Sequence, residues 1–201
     1  EMLLRVIEER YLFENQKASA GTEVWTRFFV PYFKGLPTKE YILSRLLPRP
    51  RDLILFCSDA INSAIDHDRN LIQASDIEHA EKLYSEFAWT SIRAEYEVSP
   101  YDIDAVVYEF VGSPSIITRS EIVDFVKRAG IKPEATKEVV SILRGVSFLG
   151  VEIDEGEFRF SHDIWDLKLI DALERKFSTR AKRDARYQIH PAFRSALEIA
   201  E

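Results

Sequence analysis

Cysteine and glycine are scarce in this chain of 201 residues. Cys57 is the single cysteine, which excludes an internal disulfide framework and a zinc site built from several cysteines. Seven glycines occur, and they form neither G-x-x-x-x-G-K-S/T nor G-x-G-x-x-G. A phosphate-binding loop and a dinucleotide-binding turn are therefore excluded from this sequence.

Long apolar runs and catalytic motifs are also missing. No run of about 18 consecutive apolar residues exists, so the sequence predicts no transmembrane helix. Neither G-x-S-x-G nor H-E-x-x-H occurs, and the four histidines are scattered. We therefore predict no catalytic residue and no metal site. His67 between two aspartates is interpreted as a polar helix end.

The chain also lacks a positive net charge. Asp and Glu number 34 against 27 Lys and Arg, which gives a net charge of −7 and argues mildly against a nucleic-acid binder. The apolar share of 46% excludes wholesale disorder. Residues 1–10 are acidic and helical rather than a signal peptide, so we expect a cytoplasmic location and no membrane partner. The chain begins with Glu, which suggests part of a longer protein.

The first half has the apolar periodicity of helices. Pro50 suits the first turn of one of them, and Cys57 falls on its apolar stripe, which predicts a core position. A capping box at 75–78 marks the start of another predicted helix. An aromatic stretch, 25–33, is interpreted as core or a domain contact rather than a ligand platform. The predicted helices are 2–15, 39–47, 50–66 and 76–96.

The second half predicts three helices followed by a β-hairpin, which is the order of a winged helix-turn-helix. A capping box at 118–121 opens the second helix. Gly156 lies in the turn between the two strands. The predicted helices are 102–112, 119–129 and 134–145, and the strands are 148–153 and 157–160. Further helices at 163–177 and 192–200 flank an extended segment at 187–191.

The predicted fold is therefore mainly α. Residues 1–98 form a helical bundle, 99–162 a winged-helix domain with a small β-hairpin, and 163–201 a C-terminal helical extension. Residues 175–186 contain six basic side chains, whose ordinary interpretation is a solvated helical face. The predicted recognition helix has two basic against two acidic residues, and the wing tip at 154–157 is acidic, so DNA binding is the less favoured alternative.

Three features follow one another along the chain: Arg49-Pro50-Arg51-Asp52 at a helix start, the winged helix, and Ile189-His190-Pro191-Ala192-Phe193. In this order they resemble the carboxy-terminal half of P-loop ATPases of the AAA+/STAND type. The resemblance implies a lid followed by a winged helix, with the phosphate-binding core located outside this sequence. It also implies ATP or ADP with Mg for the full-length protein, the N-terminal core as partner and a homo-oligomer. We expect no cofactor and no hydrolysis in this chain alone.

The resemblance also implies site residues. Arg51, with Arg49 as the alternative, matches the sensor II arginine that reaches the γ-phosphate, a task that suits the planar guanidinium. His162 in Phe-Ser-His-Asp is similar to the histidine of the STAND Met-His-Asp motif, which contacts the β-phosphate of ADP. The structural alternatives are that Arg51 pairs with an acidic neighbour or with solvent, and that His162 caps a helix or packs. His190 is interpreted as structural.

The predicted function is a nucleotide-sensing lid and winged-helix regulatory or interaction portion of a P-loop ATPase. The alternatives are a winged-helix nucleic-acid-binding module and a protein-interaction scaffold.

Overall fold

A computed structural model describes residues 2–96, 99–164 and 166–200. It divides the chain into two compact units, Glu1–Phe87 and Ala88–Glu201. Helices dominate, with two small antiparallel sheets, which confirms the mainly α prediction. The boundary between the two units falls inside one long helix.

The first unit is helical apart from one short hairpin. Its core is formed by fully buried residues of α4 and α5, among them Leu53, Phe56, Ile77 and Tyr84. The helices are α1 (Met2–Glu14), α2 (Glu23–Phe28), α3 (Thr38–Arg45), α4 (Pro50–Asp66) and α5 (Ala74–Tyr96), which continues into the second unit. Pro50 occupies the first turn of α4 and His67 its C-cap, as predicted.

The aromatic stretch folds as α2 and a hairpin, β1 (Tyr32–Phe33) and β2 (Leu36–Pro37), which the sequence did not predict. Lys34 and Gly35 both have positive φ, 47° and 82°, as a tight two-residue hairpin turn requires. The core prediction is confirmed for its buried members Trp25, Phe29 and Phe33. Phe28 and Tyr32 are exposed and are not core residues. Tyr32 lies in β1, where successive side chains point to opposite faces, so Phe33 is buried and Tyr32 is not. Phe28 is the last residue of α2.

Helix α5 begins earlier than predicted. It starts at Ala74, and the Asp76 carboxylate accepts the Gln73 N–H at 2.8 Å, whereas the predicted capping box had Glu78 accept the Ser75 N–H. Ser63 of α4 donates to the same carboxylate at 2.8 Å, and Arg69 pairs with it at 3.0 Å. The helix start therefore combines a local cap, from Asp76 to Gln73, with a contact from α4.

In the second unit, α6 (Ile103–Tyr108), α7 (Arg119–Arg128) and α8 (Thr136–Gly145) precede the hairpin of β4 (Leu149–Asp154) and β5 (Glu157–Arg159). A short 3-10 turn, Pro133–Ala135, leads into α8. The capping box at Thr118 and Glu121 is present, and Gly156 has φ +70° in the hairpin turn. The predicted order of three helices and a hairpin is confirmed, although α6 ends earlier than expected.

The sheet of the second unit has a strand from the C-terminal segment at its centre. Its order is β3 (Ile116–Thr118), β6 (Arg186–Ile189), β4 and β5, and all pairs are antiparallel. Helix α9 (Leu167–Ala181) precedes β6, and α10 (Pro191–Arg194) follows it. Residues 163–201 therefore contribute to the same sheet as the hairpin.

Two C-terminal helix bounds differ from expectation. Helix α9 begins four residues later than predicted, with Asp166 as its N-cap. The predicted helix at 192–200 is wrong beyond Arg194, because Glu198 has φ +52° and Ala200 bridges to Pro114. Among the described residues, no helix is both long and apolar enough to cross a bilayer.

Candidate functional site

Arg51 lies on the first turn of α4, and its side chain is 64% exposed. Its guanidinium lies over the Phe87 ring at 5.0 Å from the centroid, and its Nε is 3.5 Å from Asp52 Oδ1. The ion pair with an acidic neighbour is the contact that the structural alternative predicts. The exposure nevertheless leaves the guanidinium accessible to an anion.

Asp52 and Tyr84 hold this helix start in place. Asp52 is 1% exposed, and its Oδ2 accepts the Tyr84 hydroxyl at 2.9 Å. The same hydroxyl accepts the Leu47 N–H at 2.9 Å. Burial, together with the Asp52 carboxylate, raises the pKa of Tyr84, so the phenol remains a neutral donor. Arg51 is thus presented from a backbone that is anchored on its buried side.

Arg49 is the N-cap of α4 and is partly buried. Its charge opposes the rise in the pKa of Tyr84, which indicates that it lies near the buried phenol. Of the two arginines, Arg51 is the more exposed.

His162 belongs to the second unit and contacts a pair of serines. Its Nδ1 is 3.1 Å from Ser147 Oγ, which in turn is 2.6 Å from Ser161 Oγ. Ser161 Oγ donates to the Gly145 carbonyl at 3.2 Å. A consistent assignment of hydrogens makes His162 Nδ1 the donor to Ser147, which donates to Ser161. His162 Nε2 lies 3.7 Å from Asp163 Oδ1.

His190 has a structural role, as the sequence predicts. Its side chain is buried, and its Nδ1 accepts the Ala192 N–H at 3.1 Å, which caps α10. Burial, with a smaller contribution from the charge of His162, lowers the pKa of His190 to about 3. The ring therefore remains neutral and cannot serve as a cationic phosphate ligand at physiological pH.

The basic run at 175–186 is paired with the acidic wing rather than uniformly solvated. Arg180 lies 2.7 Å from Asp154, and Arg183 lies 2.8 Å from Glu152 and 3.1 Å from Glu155. Arg186 Nε donates to Glu152 Oε2 at 2.9 Å. The opposite charges of the two segments were visible in the sequence, and they are the signal that could have predicted this pairing.

Glu152 is the buried centre of the wing network, at 2% exposure. Burial alone would raise its pKa, but hydrogen bonds from Arg186 and from the Gly156 N–H, with the charges of Arg186 and Arg183, outweigh it. The pKa of Glu152 is therefore lowered, and its carboxylate is charged at neutral pH.

The predicted recognition helix, α8, has few cations available to DNA. Arg144 is 8% exposed and pairs with Asp171 at 2.8 Å and Glu174 at 3.2 Å. Lys137 is exposed, but it is followed by the exposed Glu138. Lys137 is therefore the one exposed cation of α8 itself, whereas DNA affinity is normally built from several Lys and Arg contacts.

A cavity of about 580 Å³ lies in the first unit, with mostly apolar walls from α1, α2 and α4. Cys57 lines it but is 3% exposed, and burial raises the pKa of its thiol to about 12. The core prediction for Cys57 is confirmed, and the thiol is not an activated nucleophile. Neither Arg49 nor Arg51 lines this cavity.

Comparison with known proteins gives one family for part of the chain. Residues 1–93 match the family model of the FunZ-associated C-terminal helical domain (FunZ_C). No curated protein and no solved structure matches the chain. The description of the family names a helical domain and no ATPase. The first unit, together with the next six residues of α5, is therefore similar to a FunZ-associated C-terminal helical domain.

Proposed function

We propose that this chain is a regulatory and interaction module of a P-loop ATPase, in which the start of α4 senses the nucleotide state. The observation that carries the proposal is the exposed guanidinium of Arg51 on an anchored helix start. The similarity of residues 1–93 to a C-terminal helical domain supports a position beside a core located elsewhere.

Arg51 has the chemistry that this role needs. A guanidinium stays charged and offers a planar fork of donors, which matches phosphate oxygens. The chain has no Walker A motif, so Mg-ATP or Mg-ADP would be bound by the core and touched here by a side chain only. Phe87 beneath the guanidinium and Asp52 beside it already restrict the side chain of Arg51. Arg51 therefore loses less conformational entropy when it binds a phosphate.

A second contact by His162 belongs to the same proposal. The hydrogen bond to Ser147 fixes one edge of the ring, and stacking on Phe160, with centroids 5.6 Å apart and planes 2° apart, fixes its plane. A fixed imidazole is suited to donate to a phosphate oxygen when it is protonated. The core and a second copy of the chain are the partners that this function implies.

The nucleic-acid alternative is less well supported. Three arginines of the basic run are engaged by the acidic wing, and Arg144 of α8 is buried. The second unit therefore fits packing and regulation better than phosphate-backbone binding.

The test is Arg51→Ala in the complete protein that contains both this chain and its ATPase core. We expect ATP turnover to fall about tenfold or more, since phosphate clamps act where water is excluded. The midpoint of thermal unfolding of the 201-residue chain should change little, because the Arg51 guanidinium is mostly exposed and Asp52 keeps its hydrogen bond from Tyr84 when Arg51 is removed. Arg49→Ala should reduce turnover less than Arg51→Ala.

Arg5→Ala is the matched control, because Arg5 is also an exposed arginine of the first unit, on α1. Unchanged turnover in Arg51→Ala, or an unfolded variant, would show that Arg49-Pro50-Arg51-Asp52 is a helix start and no sensor.

A further inference from the structure

A small pocket in the second unit combines an unusual number of cations. It has a volume of about 210 Å³ and lies at the start of α7, along α8 and α9, and beside β6. Four cationic side chains face two carboxylates in its lining, which leaves a net charge of +2. These charged residues are Arg119, Lys137, Arg144, Arg175, Asp171 and Glu174.

The two carboxylates already have partners among the lining residues. Arg144 Nη2 lies 2.8 Å from Asp171 Oδ1, and its Nη1 lies 3.2 Å from Glu174 Oε2. The Tyr187 hydroxyl donates to Glu174 Oε1 at 2.5 Å. Burial, followed by the charge of Glu174, raises the pKa of Tyr187, which keeps it a neutral donor. Arg144 therefore contacts both carboxylates, and its single positive charge offsets one of their two negative charges.

The other three cations give the pocket its positive excess. Arg119, Lys137 and Arg175 are exposed, and within the described part of the chain none of them forms an ion pair. Arg175 Nε donates to the Asp171 carbonyl at 3.2 Å, which positions the side chain without neutralising it. Three like charges around one small pocket repel one another, and an anion would relieve that repulsion.

Arg144 provides a second, independent observation. It is 8% exposed, and its buried Nε has no hydrogen-bond partner among the described residues. A buried donor that is left unpaired destabilises a structure, more so on a charged group. Because this Nε is sealed from solvent, an anion in the pocket that Arg144 lines would stabilise the guanidinium through its charge.

We propose that this pocket binds the phosphoryl group of a small phosphate-bearing anion through Arg119, Lys137 and Arg175, with Arg144 at its buried end. The volume suits one phosphoryl group and is below that of typical pockets for drug-sized ligands. The acidic wing of the same unit disfavours a nucleic-acid polyanion as the source of the phosphate. This inference does not rest on Arg51 or on the proposed ATPase context.

Titration of the ¹⁵N-labelled chain with inorganic phosphate, at an ionic strength held constant with chloride, tests this proposal by NMR. We expect a saturable shift that includes the Arg144 Nε–H signal. The double variant Arg119→Ala/Arg175→Ala should weaken phosphate binding about tenfold or more, because it removes two charge-assisted donors. Lys137→Ala is a second variant, expected to weaken binding to a smaller degree.

Arg159→Ala is the matched control, since Arg159 is exposed and lies in β5 outside the pocket. It should leave phosphate affinity unchanged. Repeating the titration with ATP separates the two sources: equal affinity for phosphate and ATP indicates a free anion, and tighter ATP binding through the same arginines indicates a nucleotide. Either result supports the pocket.

Three outcomes would overturn the proposal. The first is a shift that does not saturate or that chloride reproduces. The second is phosphate binding that neither Arg119→Ala/Arg175→Ala nor Lys137→Ala weakens. The third is binding of a short DNA duplex through these arginines that is tighter than that of phosphate or ATP, because the surface would then be a nucleic-acid contact.

Discussion

The hydroxyl of Tyr84 in α5 donates a hydrogen bond of 2.9 Å to the buried carboxylate of Asp52 in α4. The same hydroxyl accepts the Leu47 N–H, so a single phenol satisfies both the turn before α4 and its first turn. The backbone that presents Arg51 is therefore tied to the core of the first unit.

Tyr84→Phe tests this anchor. Removing the hydroxyl leaves both the Asp52 carboxylate and the Leu47 N–H buried with one partner fewer. We expect the free energy of unfolding of the first unit to fall by about 2–3 kcal/mol. Urea unfolding of the variant chain measures it. Tyr32→Phe is the control, since Tyr32 is 68% exposed in the same unit, and an equal effect of both substitutions would contradict the anchoring role.

Glu152→Gln tests the network between the wing and the basic run. The substitution keeps the shape of the side chain but leaves the guanidinium groups of Arg183 and Arg186 without their shared carboxylate. We expect the second unit to lose about 2–3 kcal/mol, less than for a fully buried pair because both arginines are partly exposed. In Glu157→Gln, which affects an exposed pair on β5, the loss should stay below about 1 kcal/mol.

Acid should destabilise the second unit through the same carboxylate. The pKa of Glu152 is lowered in the folded chain, so its contribution is complete above the ordinary value of 4.5 and is lost as pH falls through the folded-state pKa. Thermal unfolding midpoints between about pH 7 and pH 3 should fall less steeply in Glu152→Gln than in the unmodified chain. Identical pH profiles would mean that Glu152 is not the group that titrates.

Duplex DNA should bind this chain no tighter than about micromolar at physiological salt, in the range of non-specific binding. Arg180, Arg183 and Arg186 are already neutralised by the wing. Fluorescence anisotropy with a labelled duplex at two salt concentrations measures the affinity and its salt dependence. Nanomolar binding with a steep salt dependence would favour the nucleic-acid-binding function over the ATPase-regulating one.

The candidate site was only partly predictable. Arg51, Arg49 and His162 were found through short motifs, which identify residue types but give no exposure or orientation. The sequence could not distinguish Arg51, whose guanidinium is exposed over Phe87, from the partly buried Arg49 two residues away. The cationic pocket was not predicted, because Arg119, Lys137 and Arg175 belong to three separate segments that only the tertiary structure brings together.

Local sequence patterns predicted those elements whose stabilising contacts lie within a few residues. Pro50 at a first turn, the capping box at Thr118 and Glu121, and Gly156 in the hairpin turn act within four residues, and all three elements formed where expected. The start of α5 did not follow this rule. Its capping carboxylate, Asp76, is also bound by Ser63, which lies 13 residues earlier in α4.

The sheet of the second unit depended on contacts between distant parts of the chain. A short strand exposes unpaired N–H and C=O groups, and the hydrogen-bond pattern alone does not state which strand will pair with them. Here β6 pairs with both β3 and β4 and becomes an inner strand. The same arrangement brings Arg186 to Glu152, 34 residues apart. Periodicity and capping thus specify the elements, whereas strand order, charge pairing and the pocket arise from long-range packing, which no local pattern encodes.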